Sequence, residues 1–529
     1  MLPYVSRGVC PTLRRIRALH TQRPLDSNDQ RWPGWGVVVG IEVHAQIKSK
    51  FKLFSGTRIP EPNDASNTLV SPYDAAFPGT LPHLNPRCVD LAVRTATALE
   101  SNVQSRSTFD RKHYFYPDLP SGYQITQHYA PFATGGRVYL EKTSASIRVH
   151  QIQLEQDTGK STTDRRRKTT SIDLNRAGTG LMEIVSEPDI RSPEEAGDYV
   201  RTLQSLLRAV GSSDGNMEAG SLRCDVNVSV SRPGEPFGTR CEIKNLNSVK
   251  FMMMAIVHEA RRHIALIERG ETVAQETRGF DEDRAETYAL RSKEDAPDYR
   301  YMPDPNLPPL LLTQEYLAKV VQTVPELPKH TRQRLLAIGL SERDVDVLMT
   351  IDAGKEIGYD GELSQGAVAY FDLVSMGRNP KTVMNWMTHE LMGQLTLHYS
   401  GTHEDVFKSN PVSATQLGEL IDIVTERKIT GTAAKQILRH IIKTRSDATP
   451  SKLAQELSLL AANPSDSSLT NWCHDAIQAL PSEADAARRG NTNVVNKLLG
   501  HVMKLSRGTA DAKAARALLQ HMLKEPDSR

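Results

Sequence analysis

Cysteine is scarce and unpatterned: Cys10, Cys88, Cys224, Cys241 and Cys473 are the only five in 529 residues, and none form a CxxC pair. An odd count without CxxC spacing argues against a disulfide-stapled scaffold and a thiolate zinc site, and suits a reducing compartment. Long apolar runs are missing as well. No stretch approaches the ~20 residues that a membrane-crossing helix needs, so no membrane insertion is expected. Net charge is close to absent, +2 over the whole chain, so any nucleic-acid surface has to be local. Repeats and low-complexity tracts are absent too. What is present is an ordinary globular composition, 39% hydrophobic and 24% charged. The length allows about two or three domains.

One absence is confined to the start. No acidic residue precedes Asp26, while Arg7, Arg14, Arg15, Arg17 and Arg23 are all there, with Leu13, Ile16 and Leu19 at helical spacing. Arg-rich, acid-free and amphipathic is the composition of a mitochondrial matrix-targeting peptide. Residues 1–32 are therefore expected to be a disordered targeting segment outside the fold.

Strand-like and helical patterns mix from Gly36 to about Pro297. Pro297, Pro303, Pro305, Pro308 and Pro309 then punctuate a stretch that reads as an extended boundary. Almost everything beyond is helical in pattern, with a looser joint near Ser400–Pro411. The expected class is α+β: a mixed, antiparallel-rich domain over residues 33–297, an extended segment and helical linker over 298–405, and an all-α tail over 406–529. Ser192-Pro193-Glu194-Glu195 supplies a cap, a first-turn proline and a capping-box Glu for a helix that Gly211 stops. Asn85-Pro86 opens another helix, and a third runs from Ser248 to Glu268 before Gly270.

In Ile41-Glu42-Val43-His44-Ala45-Gln46-Ile47 the alternation is strict, so Glu42, His44 and Gln46 share one strand face. Leu222–Val230 and Arg240–Lys244 alternate likewise around a Pro-Gly turn and read as an antiparallel hairpin with one charged face. That face suits a solvated surface or a substrate cleft, and pattern leaves both open. Glu155 follows an alternating apolar segment, and Glu183 interrupts Leu181-Met182-Ile184-Val185. A carboxylate inside a buried strand is costly unless paired or metal-bound. Glu42, His44, Glu155 and Glu183 are thus candidate ligands of one cation, Mg²⁺ or Mn²⁺ by donor type, with salt-bridged or surface carboxylates as the other reading.

Three motifs are incomplete. Gly159-Lys160-Ser161 lacks the first glycine of a phosphate loop, where Leu154 stands. Gly178-Thr179-Gly180 lacks the third glycine of a dinucleotide fingerprint. His258 and His263 miss metalloprotease spacing by one residue.

The tail carries a basic stripe. Arg427 to Arg445 holds six basic residues and no acidic one. Lys435, Arg439 and Lys443 recur every fourth position, opposite Ala434, Ile437, Leu438, Ile441 and Ile442. From Pro411 to Arg529 the count is 16 basic against 12 acidic. A solvated helix face and a phosphate-backbone contact both fit.

Longer motifs carry a resemblance. They include Gly40-Ile41-Glu42-Val43-His44, Tyr114-Phe115-Tyr116-Pro117-Asp118, Leu154-Glu155 with Asp157-Thr158-Gly159-Lys160-Ser161, and Asp173-Leu174-Asn175-Arg176. Glu183-Ile184-Val185-Ser186-Glu187-Pro188-Asp189, Gly220-Ser221-Leu222-Arg223-Cys224-Asp225, Lys244-Asn245-Leu246-Asn247-Ser248 and Asp298-Tyr299-Arg300-Tyr301-Met302-Pro303 follow in order. From about Val37 onward the chain resembles the B-subunit family of the tRNA-dependent amidotransferases, and its tail, more weakly, a helical module shared with a small bacterial family.

The resemblance implies a ligase subunit that converts Glu-tRNA(Gln) to Gln-tRNA(Gln). In that family a cradle domain binds the acceptor end and uses ATP to phosphorylate the glutamyl γ-carboxylate, and ammonia then displaces the phosphate. It implies an amidase (A) subunit as the ammonia source, a small third subunit, a tail approaching the tRNA body, and Mg²⁺ on Glu42, His44, Glu155 and Glu183. Cations such as Lys112 or Arg223 would screen the charge that develops between two anions.

Departures from the family bear on three points. Many relatives have zinc-binding cysteines in the region where this chain has Ser55, Gly56, Ser71 and Asp74, so no zinc is expected. Gln156 follows Glu155 where many bacterial members have consecutive acids, which favours Glu155 as the ligand. Asn491-Thr492-Asn493 replaces a lysine-containing pattern. The archaeal relative with an inserted domain fits poorly, because the Pro-rich stretch leads straight into helices. A non-catalytic tRNA-binding scaffold of the same complex is the alternative function, and the retained Glu42, His44, Glu155 and Glu183 speak against it.

Overall fold

Aliphatic and polar residues alternate along Gly36–Gln46, and this stretch is the centre of a 10-stranded sheet. Gly180–Ser186 flanks it on one side and Leu222–Ser231 on the other, both antiparallel. Ser146–Gln156 lies beyond the first neighbour and Cys241–Leu246 beyond the second. The expected hairpin forms, with Val226 opposite Ile243 and Val228 opposite Cys241. Cys241–Leu246 then pairs in parallel with Glu276–Asp281, across the helix Val249–Glu268. Parallel neighbours need such a crossover. Glu286–Ser292 closes that edge.

The computed structural model describes residues 23–25, 29–143, 145–164, 166–292, 298–461, 467–489 and 491–523. Two units divide the chain, Met1–Val324 and Pro325–Arg529. In the first, helices Pro86–Ala98, Pro193–Ala209 and Val249–Glu268 share one core with the aliphatic face of the sheet; Val37, Ile41, Val43, Leu91, Leu203 and Ile256 belong to it. Their starts follow the sequence: Asn85 accepts from Arg87 N and Ser192 from Glu195 N. The second unit is helical and carries two cores, one spanning Leu335 to Leu459 and one Leu469 to Leu523. The class is α+β.

Three boundaries differ from the sequence reading. Residues 1–22 and 26–28 of the expected targeting segment lie outside the described residues. Its end does not: Trp32 is 2% exposed in the first core, Arg23 pairs with Glu195 at 2.6 Å, and Arg31 pairs with Glu194 at 2.8 Å. An amphipathic Arg can lay its stem on a surface and still hold a carboxylate.

The Pro-rich stretch, expected to open a linker at residue 298, belongs to the first unit. Met302–Pro303 pairs with Asp110–His113, Leu310–Leu311 pairs with Arg106–Ser107, and Leu312 and Val320 enter the first core. Proline cannot donate to a ladder, yet short edge strands tolerate it. The division falls at Val324/Pro325. The expected 405/406 boundary cuts through the Leu335–Leu459 core, where Tyr370 and Phe407 stack edge to face at 5.6 Å.

The region carrying Ser55, Gly56, Ser71 and Asp74 holds a buried ion pair. Lys52 Nζ donates to Asp74 Oδ2 at 3.0 Å, with both side chains almost fully buried. The same oxygen accepts from Ser55 Oγ and Ser71 N, each at 3.1 Å. Among the described residues Cys88, Cys224, Cys241 and Cys473 are buried and form no disulfide.

Candidate active site

Sheet register assembles the site. His44 stands opposite Glu183 on one side and Arg223 on the other, while Glu155 is opposite Leu181, two residues before Glu183. Period-two alternation then puts His44, Glu183 and Glu155 on one face. His44 Nε2 lies 3.2 Å from Glu155 Oε2 and 4.0 Å from Glu183 Oε2. One ligand atom from each falls within 4.8 Å of the others. Lys112, on the strand Asp110–His113, reaches over them to 3.8 Å from Glu155 Oε1.

Burial sets the electrostatics. It raises the Glu183 carboxyl, and the Glu155 charge beside it adds to the effect, to about 7. Burial opposes the Glu155 charge as well, but Lys112 and His44 outweigh it and hold that carboxyl at about 2. Burial also works against the His44 imidazolium, and Glu155 and Glu183 overcome it, lifting the ring to about 9. Two carboxylates sharing a dry site cannot both ionise without a proton or a cation between them. Glu183 accepts from Gln153 Nε2, whereas the buried Glu155 Oε2 has the His44 ring at 3.2 Å but, among the described residues, no well-aligned hydrogen-bond donor. Two carboxylate oxygens, one of them without a well-aligned donor, and one imidazole nitrogen form a donor set that fits Mg²⁺ or Mn²⁺.

Glu42, the fourth expected ligand, sits on the same strand face as His44 but outside that convergence. It accepts from Asn227 Nδ2 at 3.2 Å. Burial raises its carboxyl, as do Glu242 and Asp225. Those two acids hold Lys244, whose Nζ is 2.6 Å from Asp225 Oδ2 and 2.9 Å from Glu242 Oε1. Glu42, His44, Glu183, Lys112 and Lys244 line one cleft of about 330 Å³, with Tyr299 and Tyr301 at its wall.

The two expected cations differ in setting. Lys112 faces the triad and lies 5.0 Å over the Tyr299 ring. Arg223 is engaged by Asp157, Nη2 to Oδ2 2.8 Å, and Arg176 and Gln46 approach the same oxygen at 3.5 and 3.2 Å. Sequence reasoning passed over Lys244, Asp157, Tyr299 and Tyr301 as site residues. Lys244 could have been found, because it alternates with Cys241 and Ile243 on the charged face. The tyrosines could not, since they arrive from outside the sheet.

In the helical unit, Lys435, Arg439 and Lys443 are exposed on the helix Gly431–Thr444, and Ala434, Ile437, Leu438, Ile441 and Ile442 are buried as the stripe implies. Lys435 pairs with Glu390 at 2.8 Å and Arg439 donates to Gln394 at 3.1 Å.

A second trio of ligand-type side chains among the described residues is Cys241, Glu259 and His263. It reads as structural, because Arg262, Arg278, Thr287 and His263 already occupy the Glu259 carboxylate.

Comparison with known proteins gives this geometry its context. The family model described as the GatB/GatE catalytic domain matches residues 37–318, and that of the GatB domain matches 369–523. The chain is 55% identical to the B subunit of the mitochondrial glutamyl-tRNA(Gln) amidotransferase of Laccaria bicolor, over 97% of this chain and 96% of that protein. It is 43% identical to the protein of the same name in Mycosarcoma maydis, over 91% of this chain and 85% of that one. It is 44% identical to the B subunit of the aspartyl/glutamyl-tRNA(Asn/Gln) amidotransferase of Anaplasma marginale, over 93% and 97%. His44, Glu155, Glu183, Lys112 and Arg223 all fall inside the matched catalytic domain, and this chain belongs to the GatB family, among its mitochondrial members.

Proposed function

We propose that the His44–Glu155–Glu183 triad is where this component of the tRNA-dependent amidotransferase activates the glutamyl group of Glu-tRNA(Gln). Membership of the family makes the chain part of a mitochondrial ligase complex acting in translation. The convergence of these side chains beneath Lys112 supports this chemistry at the triad.

A carboxylate is a poor acyl donor, and phosphorylation gives it a leaving group. A γ-carboxylate oxygen attacks the terminal phosphorus of ATP and ADP departs; ammonia then attacks the acyl carbon and phosphate departs. A divalent cation, Mg²⁺ by donor type, would rest on His44, Glu155 and Glu183, with Glu42 adding negative charge alongside; when bound it supplies electrostatic screening between the two anions. Lys112 brings a second positive charge to the reacting carboxylate, at a place where burial strengthens its effect. Arg223, anchored by Asp157 and opposite His44 in the sheet register, adds a further positive charge near the triad. Lys435, Arg439 and Lys443 of the helical unit contact tRNA phosphates. Ammonia comes from an amidase (A) subunit, and a small third subunit completes the assembly.

The test is ADP release by the assembled complex with Glu-tRNA(Gln) and without glutamine. Release that depends on the glutamyl ester, and is lost in Glu155→Gln, supports the reading. Release that survives Glu155→Gln undiminished, or no release at all, leaves the scaffold role standing.

A further inference from the structure

Lys160–Asp164 and Thr169–Asp173 form a ribbon that, among the described residues, pairs with no other strand, and none of its described residues is buried. A lone hairpin without an apolar face is marginal in water. This one is secured at its root. Arg176 donates to Thr158 O at 3.0 Å and Gly159 O at 2.6 Å, Gly159 N to Asp118 O at 2.9 Å, and Asn67 Nδ2 to Ile172 O at 2.9 Å.

The tip concentrates positive charge. Arg166, Arg167 and Lys168 form the turn, with Lys168 at φ 53 in the left-handed region, and Lys160 lies on the ribbon below. Arg165, next in the sequence, lies outside the described residues. The one acid at the tip, Asp164, accepts the backbone N–H groups of Arg166 and Arg167 at 2.9 and 3.1 Å, so it folds the turn. Arg167 Nε is 3.7 Å from its other oxygen, both exposed, a contact worth little in water. Among the described residues neither Arg166 nor Lys168 has an ion-pair partner. Adjacent cations repel one another, so their gathering on an arm without a core adds nothing to folding.

The arm leaves the body just after the strand that carries Glu155: that strand ends at Gln156 and the ribbon starts at Lys160. Five residues per arm, at roughly 3.3 Å each, keep the tip within about 17 Å of its root. A guanidinium pair beside a lysine suits phosphate oxygens. We propose that this ribbon is a docking arm for the phosphate backbone of the RNA substrate, gripping the stem next to its aminoacylated end. The inference rests on the reading of the triad as the place where that end reacts. A protein with an acidic surface is the other class of ligand such a tip could meet. The bounded distance from the triad strand favours the RNA.

The experiment uses the assembled complex carrying the wild-type chain, Arg166→Ala/Arg167→Ala/Lys168→Ala, or Arg166→Lys/Arg167→Lys. Binding is titrated against salt with full-length tRNA(Gln) and with a minihelix holding only the acceptor stem and its single-stranded end. The triple variant should bind both RNAs more weakly, with a salt slope shallower by about 1 to 2.7, since each lost duplex phosphate contact removes about 0.9. The lysine variant should keep the slope. Unchanged slope and affinity in the triple variant overturn the proposal. So does weakening confined to full-length tRNA, or loss of a partner subunit with RNA binding per complex unchanged. A wild-type complex that binds neither RNA is the separate failure of the underlying functional reading, visible in the same titration.

Discussion

His44 and Glu183 are cross-strand register partners whose Nε2 and Oε2 atoms lie 4.0 Å apart, and Glu155 completes the group from the next strand over. The spacing is wide for a direct ion pair and suits an ion between them. Glu183→Gln keeps shape and removes charge. Burial and the neighbouring Glu155 charge push the Glu183 carboxyl upward, toward its neutral form, so the neutral amide should leave the fold intact. Mn²⁺ binding, followed by calorimetry on the assembled complex, should be lost, and glutamyl phosphorylation should fall by about 10²-fold or more. Full activity in Glu183→Gln would remove the carboxylate from the chemistry.

The Lys52–Asp74 pair makes a stability prediction independent of the site. Both side chains are buried, and among the described residues Asp74 Oδ1 finds no hydrogen-bond partner while Oδ2 takes three donors. Removing one partner of a buried pair leaves an uncompensated charge and costs about 3–5 kcal/mol. Asp74→Ala should therefore unfold the first unit at distinctly lower denaturant. Lys52→Met/Asp74→Leu should recover much of the loss, because an apolar pair carries no desolvation penalty. Equal destabilisation by the single and double variants would mean that packing around the loop matters more than charge.

How far these features could be read in advance follows from their range. Helix starts were legible because a cap acts within about three residues, as Asn85 and Ser192 do here. The shared face of Glu42 and His44 was legible because alternation is local. Which carboxylates meet His44 depends on the register of strands more than a hundred residues apart, which no local pattern encodes; Glu42, the nearest candidate in sequence, turns out to face Asn227. Lys112 and Tyr299 reach the site from outside the sheet, and only the fold brings them together. The Pro-rich stretch misled for a physical reason, since a chain that ends a domain and one strapped along its edge need the same extended, proline-tolerant backbone. Trp32 was obscured by the basic composition upstream of it.

Glu259 gives a pH prediction with a definite sign. Burial opposes its charge, yet His263 and Arg262 hold its carboxyl well below the usual range, and Thr287 helps. A carboxylate depressed in the folded state stabilises fully above its unfolded value near 4.3, and that stability is lost as pH falls toward the folded value. Unfolding free energy of the wild type should thus decline steeply below about pH 5. Glu259→Gln should be less stable at neutral pH and flatter over that acid range, as read by urea melts at successive pH values. Parallel curves for the two proteins would assign the acid sensitivity to other carboxylates.

The basic stripe on the helix Gly431–Thr444 is separable from the triad by what each should change. Its apolar side fills the Leu335–Leu459 core, so replacing the exposed cations leaves packing intact. Lys435 and Arg439 already have neighbours in Glu390 and Gln394, while Lys443 stands open at the last turn. Exposed pairs of this kind are worth about 0–1 kcal/mol, too little to stop a phosphate from replacing the carboxylate. Lys435→Ala/Arg439→Ala/Lys443→Ala should therefore weaken tRNA binding and make its salt slope shallower by up to about 0.9 per lost contact. At saturating tRNA the rate of glutamyl phosphorylation should be unchanged, because these side chains touch no reacting atom. Lys443→Ala alone should account for a larger share of the slope than Lys435→Ala, since among the described residues no carboxylate pairs with Lys443. A wild-type slope in the triple variant would make the stripe a solvated face, and a fall in the saturated rate would mean that this helix positions the reacting end as well as holding the RNA.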